Sequence, residues 1–129
     1  MPLIKISMFE GRAAQEKQEV AKAVHDALIE AFRIPLNDTN IRIEEYKAED
    51  WLLPPGKSTQ YVLTEISAFS GRSADAKRLL YKAIVRNLGS LGIVPGNIFI
   101  LLYEEPPVNW GIRGGIAACD IDLGFDINV

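Results

Sequence analysis

Phe9-Glu10-Gly11-Arg12 returns sixty positions later as Phe69-Ser70-Gly71-Arg72, and this recurrence governs how the rest of the chain is read. Self-similarity at such a spacing means that one supersecondary unit has been used twice. The surroundings repeat too. Before each Gly-Arg lies a stretch in which apolar and polar residues alternate, Leu3 to Phe9 and Tyr61 to Phe69. A period of two predicts a strand in each place. After each Gly-Arg the period changes: Val20, Val24, Leu28 and Phe32 recur at i, i+4, as do Leu80, Ile84 and Leu88, with Lys17 and Lys77 in register. Each copy therefore predicts a helix with one apolar face.

The first helix is expected to stop before Ile34-Pro35, because a residue preceding proline avoids the α conformation. The second is expected to stop at Gly89 to Gly92, where glycine supplies the left-handed turn that ends helices. A second strand follows each, Asn40-Ile41-Arg42-Ile43-Glu44 and Asn97-Ile98-Phe99-Ile100-Leu101-Leu102. Each half thus reads β-α-β with its two strands parallel, and Pro54-Pro55-Gly56-Lys57 joins the halves. The predicted fold is a two-layer α+β domain: duplicated β-α-β units forming a four-stranded sheet backed by two helices, with a C-terminal strand or hairpin. One domain covers 1–129, with repeats at 1–53 and 58–115 and a tail at 116–129. The other face of the sheet has no helix of its own, which predicts an oligomer, most simply a ring.

At 129 residues, 48% hydrophobic and 24% charged, the chain can bury one sizeable core but hardly two. The net charge of -3 offers no basic footprint for nucleic acid. The alternating, polar N-terminal stretch does not read as a signal peptide, and no run approaches a membrane span, so a cytoplasmic protein is expected. The single Cys119 cannot form an internal disulfide, and with only His25 beside it the usual zinc sets cannot be assembled. Both are read as structural, since Cys119 as a nucleophile would need His25 as its partner.

These residues resemble the tautomerase superfamily, named for 4-oxalocrotonate tautomerase. Its short form is one β-α-β unit that begins with a catalytic proline after the initiator methionine, and Pro2 stands in that place. Gly11-Arg12-Ala13 and Gly71-Arg72-Ser73 are similar to its Gly-Arg-Ser, and Ile41-Arg42-Ile43 to its Val-Arg-Val strand. Trp110-Gly111-Ile112-Arg113-Gly114-Gly115 is similar to its Phe-Gly-Ile-Gly-Gly turn. A double-length chain with one such proline resembles the fused branch, which includes malonate semialdehyde decarboxylase and the haloacrylic acid dehalogenases. The resemblance spans the chain and implies a homotrimer imitating the short form's hexamer, working without a cofactor or a metal.

Pro2 by itself is equally suited to opening an edge strand, where its missing N–H costs nothing. The resemblance implies more: removal of Met1 frees a ring amine, which serves as a general base when burial and neighbouring cations disfavour its charged form. The pseudo-twofold supplies such a cation. With the first and third strands antiparallel at the sheet centre, Pro2 lies beside the end of the third strand and hence beside Arg72. Arg12 falls beside Thr59-Gln60-Tyr61, where there is no proline, and belongs to a relic site. Arg72 would hold a substrate carboxylate through its planar fork.

Arg42, by resemblance, is a second carboxylate-binding arginine; by strand alignment it is as readily a solvated edge-strand charge. Trp110 matches the aromatic that walls the short form's site, with interface packing as the other reading. Arg113, which interrupts the glycine turn, is either a substrate contact or a turn charge. Asp38 aligns with the aspartate that activates water in malonate semialdehyde decarboxylase, but Asn37-Asp38 is also ordinary turn chemistry. That decarboxylase carries an arginine where this chain has Ser70, which weighs against decarboxylation. The Asp120 to Val129 tail alternates acid and apolar residues as a terminal strand would, pairing with the next subunit.

The leading expectation is a cofactor-free keto-enol isomerase of a small 2-keto acid, such as a 2-hydroxydienoate or a phenylenolpyruvate-like acid. Its rival keeps the site but uses protonated Pro2 as a general acid for decarboxylation or hydration of a 3-oxo acid. A third reading is a non-enzymatic oligomer that uses the fold to bind a partner or small ligand.

Overall fold

The computed structural model describes residues 2–129 and has the element order β1 (Leu3–Phe9), α1 (Ala14–Phe32), β2 (Ile41–Tyr46), β3 (Val62–Phe69), α2 (Ala74–Gly89), β4 (Ile98–Glu105), β5 (Gly111–Ile112) and β6 (Ile116–Ala117). The four long strands make one mixed sheet in the order β2-β1-β3-β4, and β5 and β6 form a separate hairpin. β1 runs parallel to β2 and β3 parallel to β4, while β1 and β3 meet antiparallel at the centre. Two β-α-β halves related by a pseudo-twofold are what the sixty-residue repeat requires. The order of strands follows from joining their first strands.

The helical periodicity carries the core. Val20, Val24, Leu28 and Phe32 of α1 and Leu80, Ile84 and Leu88 of α2 are all buried against Ile4, Ile6 and Met8 of β1 and Val62 and Ile66 of β3. Phe32 and Leu28 are completely covered, and removing a fully buried side chain of that size leaves a cavity costing about 3–5 kcal/mol. α1 ends at Phe32 because Arg33 takes the left-handed conformation, φ 55°, and returns its N–H to the Ile29 carbonyl before Ile34-Pro35. α2 ends at Gly89, with Gly92 at φ 88° in the turn that follows.

The repeat also governs the surface. Lys17 pairs with Glu45 at 2.9 Å in the first half, and Lys77 pairs with Glu104 in the second. Phe9 packs against Trp51 at 5.0 Å between ring centroids, as Phe69 packs against Trp110 at 4.8 Å. The face of the sheet away from the helices presents Lys5, Arg42 and Glu65 together with exposed Phe99, Leu101 and Tyr103. That mixture is what an unpaired interface face would show, and no helix among the described residues covers it.

The tail corrects an expectation. Beyond the turn at Ala118–Asp120 it forms no strand; it folds back over its own chain beside α2. Two aspartates break the extended path: Asp122 accepts from the Gly124 N–H at 3.0 Å, and Asp126 from the Asn128 N–H at 2.8 Å. Such side-chain-to-backbone turns compete with a ladder, so alternation alone was insufficient to make a strand here. The hairpin that was the other option for this region is β5–β6.

Candidate active site

Pro2 is buried immediately before β1, between two elements that the sheet register identifies. On one side the Ile4 N–H donates to the Asn40 carbonyl at 3.0 Å, which sets the Pro35–Asn40 loop beside the start of β1. On the other, Leu3 is paired with Ser67, so Pro2 abuts the last residues of β3. Arg72 lies three residues beyond that strand's end, at Phe69. The antiparallel centre of the sheet therefore sets Pro2 against the end of β3, the strand that leads into the Arg72 turn.

Arg72 is only 5% exposed. Its guanidinium stands over the Phe32 ring, 4.8 Å from the centroid, and its Nη1 donates to the Phe69 carbonyl at 3.1 Å. Nε and Nη2 are buried without a hydrogen-bond partner among the described residues. Those two nitrogens form the side-on fork of a guanidinium, the pair that donates to both oxygens of a carboxylate at once. Burial lowers the pKa of Arg72 from its ordinary value, and the negative charges of Glu104, Asp126 and Asp38 oppose that change. An arginine starts so high that it remains a cation.

A cavity of about 380 Å³ opens at this end of the sheet, lined by Pro35, Asn37 and Asp38 before β2, Phe69, Ile112 and Arg113 on the hairpin, and Leu123 and Phe125 of the tail. Asp38 and Arg113 therefore share one cavity. Arg113 is held at φ 50°, a conformation uncommon outside glycine, and its Nη1 reaches the Asp122 carbonyl at 3.4 Å. Asp38 sits in a turn in which its N–H donates to the Pro35 carbonyl at 3.1 Å. Asp38 is thus a turn residue that also lines the cavity.

Trp110 is behind the cavity. Its ring packs on Phe69, a lining residue, and its Nε1 donates to the Glu105 carbonyl at 3.2 Å. Arg42 is elsewhere. It pairs in register with Lys5 and is exposed on the helix-free face, in a shallow hollow with Leu3, Lys5, Glu65, Ser67 and Tyr103 that shares no lining residue with the cavity. Within one chain, Arg42 and the Arg113–Asp38 cavity are separate.

The pseudo-symmetric position is closed. Nη2 of Arg12 donates to the main-chain oxygen of Gln60 at 2.9 Å and to its side-chain oxygen at 3.0 Å. Burial lowers the pKa of Arg12 as it does that of Arg72, with Glu16 opposing it. Gln60 thus takes up Nη2 of Arg12, while Nη1 of Arg12 is buried without a partner among the described residues.

Sequence reasoning missed Phe32 as the ring under Arg72, and Leu123 and Phe125 as walls. Phe32 was assigned to the core, correctly; it is also the last residue of α1, and a helix end pointing at the other repeat's Gly-Arg turn was the available signal. For the tail, the spacings Asp122-x-Gly124 and Asp126-x-Asn128 were the signal, since both are turn-forming.

Comparison with known proteins bears on this geometry. Residues 2–60 and residues 52–113 each match a family model described as tautomerase enzyme. The chain is 37% identical over 51 residues to the 2-hydroxymuconate tautomerase of Pseudomonas putida, covering 40% of this chain and 81% of that one. It is 23% identical over 123 residues to the probable tautomerase YusQ of Bacillus subtilis (strain 168), covering 91% and 97%. Among solved structures it is similar to malonate semialdehyde decarboxylase, described with decarboxylase and hydratase activities, at 26% identity and a TM-score of 0.83 over 89% of this chain and 93% of that one. It shares its fold with a fused 4-OT symmetric trimer, at 22% identity and a TM-score of 0.80 over 91% and 96%.

Proposed function

The chain belongs to the tautomerase family, and from that premise we propose that it is a keto-enol isomerase of a small 2-keto acid, with Pro2 as its general base once Met1 is removed. The observation that carries the reading is Arg72, a buried guanidinium just past the end of the strand that Pro2 abuts, whose side-on fork, Nε and Nη2, has no partner among the described residues. Leaving buried donors unpaired costs about 1–3 kcal/mol each, more for a charged group, and a carboxylate in that position removes the cost.

In this mechanism the substrate carboxylate takes the fork of Arg72, and the adjacent enol or α-carbon is brought to Pro2. The neutral ring nitrogen accepts a proton from the enol oxygen or the α-carbon and returns it to another carbon, so the reaction is an internal transfer. Charge that develops on the dienolate oxygen is met by Arg72 and Arg113. Burial and these cations both disfavour a second positive charge, which keeps the amine neutral and competent as a base. Trp110, packed on Phe69, keeps that wall apolar. Arg42 acts as a second carboxylate contact only from a neighbouring subunit, through the helix-free face, and a homotrimer is the assembly proposed.

A second reading is favoured by one observation: Asp38 lines the same cavity as Phe69 and Arg113. A carboxylate there could activate water while a protonated Pro2 acts as a general acid, giving decarboxylation or hydration of a 3-oxo acid. The absence of a second arginine at Ser70 weighs against it.

The test is ketonisation of phenylenolpyruvate by wild type, Pro2→Ala and Arg72→Ala, together with the intact mass. Loss of a positioned base should lower kcat/KM about 10²–10⁴-fold. Equal rates in all three proteins, or retention of Met1 in an active preparation, would sink the reading.

A further inference from the structure

The two halves of this molecule treat the same turn differently. Gly11 and Gly71 open the two Gly-Arg turns at φ 127° and 136°, a region L side chains rarely enter. Around Gly11 the space is open, with nothing within 4 Å of where a Cβ would stand. At Gly71 a Cβ would lie 2.9 Å from the Ile127 carbonyl oxygen and 2.9 Å from Asn128 Oδ1. The tail therefore packs directly on the Arg72 turn, in space that only glycine leaves, and nothing comparable covers the Arg12 turn.

The tail is also anchored there and nowhere equivalent. Ser73 caps α2 by accepting from the Ala76 N–H at 3.1 Å, and its hydroxyl donates to the Val129 main-chain oxygen at 2.8 Å. The corresponding cap of α1 is Ala13, which has no hydroxyl to offer. Phe125 and Val129 pack on the hydrophobic core, so the segment is fixed at both the Ser73 end and the core. What it presents to the cavity is apolar: Leu123 and Phe125, facing Phe69, Pro35 and Ile112. Its acids are otherwise engaged, Asp122 and Asp126 in the turns that shape it.

We propose that segment 121–129 is the specificity wall of the cavity lined by Phe69, the residue whose carbonyl Arg72 holds, with Phe125 selecting a monocarboxylate whose far end is apolar, an aryl or branched alkyl group, over a dicarboxylate. This rests on the proposed carboxylate-at-Arg72 reading and extends it to the other end of the substrate. With one carboxylate held by Arg72, a second would have to be desolvated between Phe125, Leu123 and Ile112 and beside Asp38, which repels it, while Arg113, the cation of the same lining, serves the dienolate oxygen and not a far carboxylate. An aromatic or branched end gains by burial in the same place.

The experiment uses the full chain and the variants Phe125→Ala, Phe125→Leu and Ser73→Ala, with phenylenolpyruvate and 2-hydroxymuconate as substrates. Phe125→Ala is expected to lower kcat/KM about 10-fold or more for the aryl acid, mainly through KM, and to leave the dicarboxylate within about twofold. Phe125→Leu should fall between, and Ser73→Ala should shift the same ratio in the same direction. Equal change for both substrates in Phe125→Leu, which keeps most of the core volume, overturns the proposal even if Phe125→Ala fails to fold. Calorimetric binding of phenylpyruvate against 2-oxoadipate reads the wall without turnover. If Pro2→Ala proves as active as wild type while Phe125→Leu still weakens phenylpyruvate selectively, the catalytic reading fails and the wall stands; if Phe125→Leu weakens both keto acids alike, the wall fails.

Discussion

Nη2 of Arg12 donates to both oxygens of Gln60, at 2.9 and 3.0 Å, whereas the fork of its repeat partner Arg72 has no such acceptor among the described residues. Two arginines in equivalent turns have therefore been put to different uses, one tying β3 to the first half and one left available. Arg12→Ala is expected to change ketonisation less than about twofold while lowering stability by about 1–2 kcal/mol, from the loss of two hydrogen bonds from a charged donor. Arg72→Ala should lower kcat/KM about 10²-fold or more, the order lost when one charge-stabilising donor is removed. Chemical denaturation and steady-state rates on both variants check the pair, and comparable rate losses would place a second functional centre at Arg12.

The pH profile reports the protonation state of Pro2. As a base the amine must be neutral, so kcat/KM rises with pH through its pKa and then levels; as an acid it must be charged, and the rate falls instead. A rise is expected, with a midpoint below the range of about 7.7–8.0 usual for an α-amino group, because burial and nearby cations disfavour the charged form. Arg72→Lys retains a cation and should leave the midpoint close to that of wild type. Arg72→Ala removes one, stabilises the ammonium and should move the midpoint upward.

Asp38 separates isomerisation from water chemistry. Its charge opposes the lowering of the Arg72 pKa, so the two fields overlap. Asp38→Asn should leave kcat for ketonisation within about threefold and lower KM for an anionic substrate, since a like charge has been removed from its path. A loss of about 10²-fold or more in kcat, measured alongside hydration of a 3-oxo acid analogue, would transfer the assignment to the water-activating reading.

Gly11→Ala and Gly71→Ala compare backbone strain with strain plus collision. Both place a Cβ at strongly positive φ, which costs about 1–3 kcal/mol. Only at Gly71 does that Cβ also meet the tail, at 2.9 Å. Gly71→Ala is expected to lower Tm further than Gly11→Ala and to expose 121–129 to limited proteolysis, while Gly11→Ala leaves that segment protected. Equal proteolytic sensitivity would mean that the tail is not held by this contact.

The helix-free face should be the contact between subunits. Phe99, Leu101 and Tyr103 are exposed along β4, and Tyr103 donates its hydroxyl to Glu65 at 2.9 Å across that face. Sedimentation of the wild-type chain is expected to give a trimer, and Leu101→Asp, which places a charge in the interface core, should shift it toward monomer. A monomeric wild type at micromolar concentration would remove the route by which Arg42 reaches another subunit's cavity.

What the sequence by itself determined follows from short periods. Alternation located β1 and β3, the i, i+4 apolar residues of α1 and α2 named the core, and Pro35 and Gly89 to Gly92 ended the helices, because each signal depends on backbone sterics within a turn or two of chain. The repeat added one long-range relation, the antiparallel pairing of β1 with β3 that sets Pro2 against the end of β3, since symmetry converts a sequence offset into a spatial relation. Ile41 and Ile43 facing the helices already implied that Arg42 faces away. What only the tertiary structure decided is how segments without a period come together: that Asp38 and Arg113 share a cavity, that Gln60 closes the Arg12 position, and that the tail abandons a strand to lie on Gly71. Those outcomes are set by which surfaces remain to be covered once the sheet and helices have packed. The space left by the missing side chain of Gly71 has no expression in the spacing of the residues that fill it.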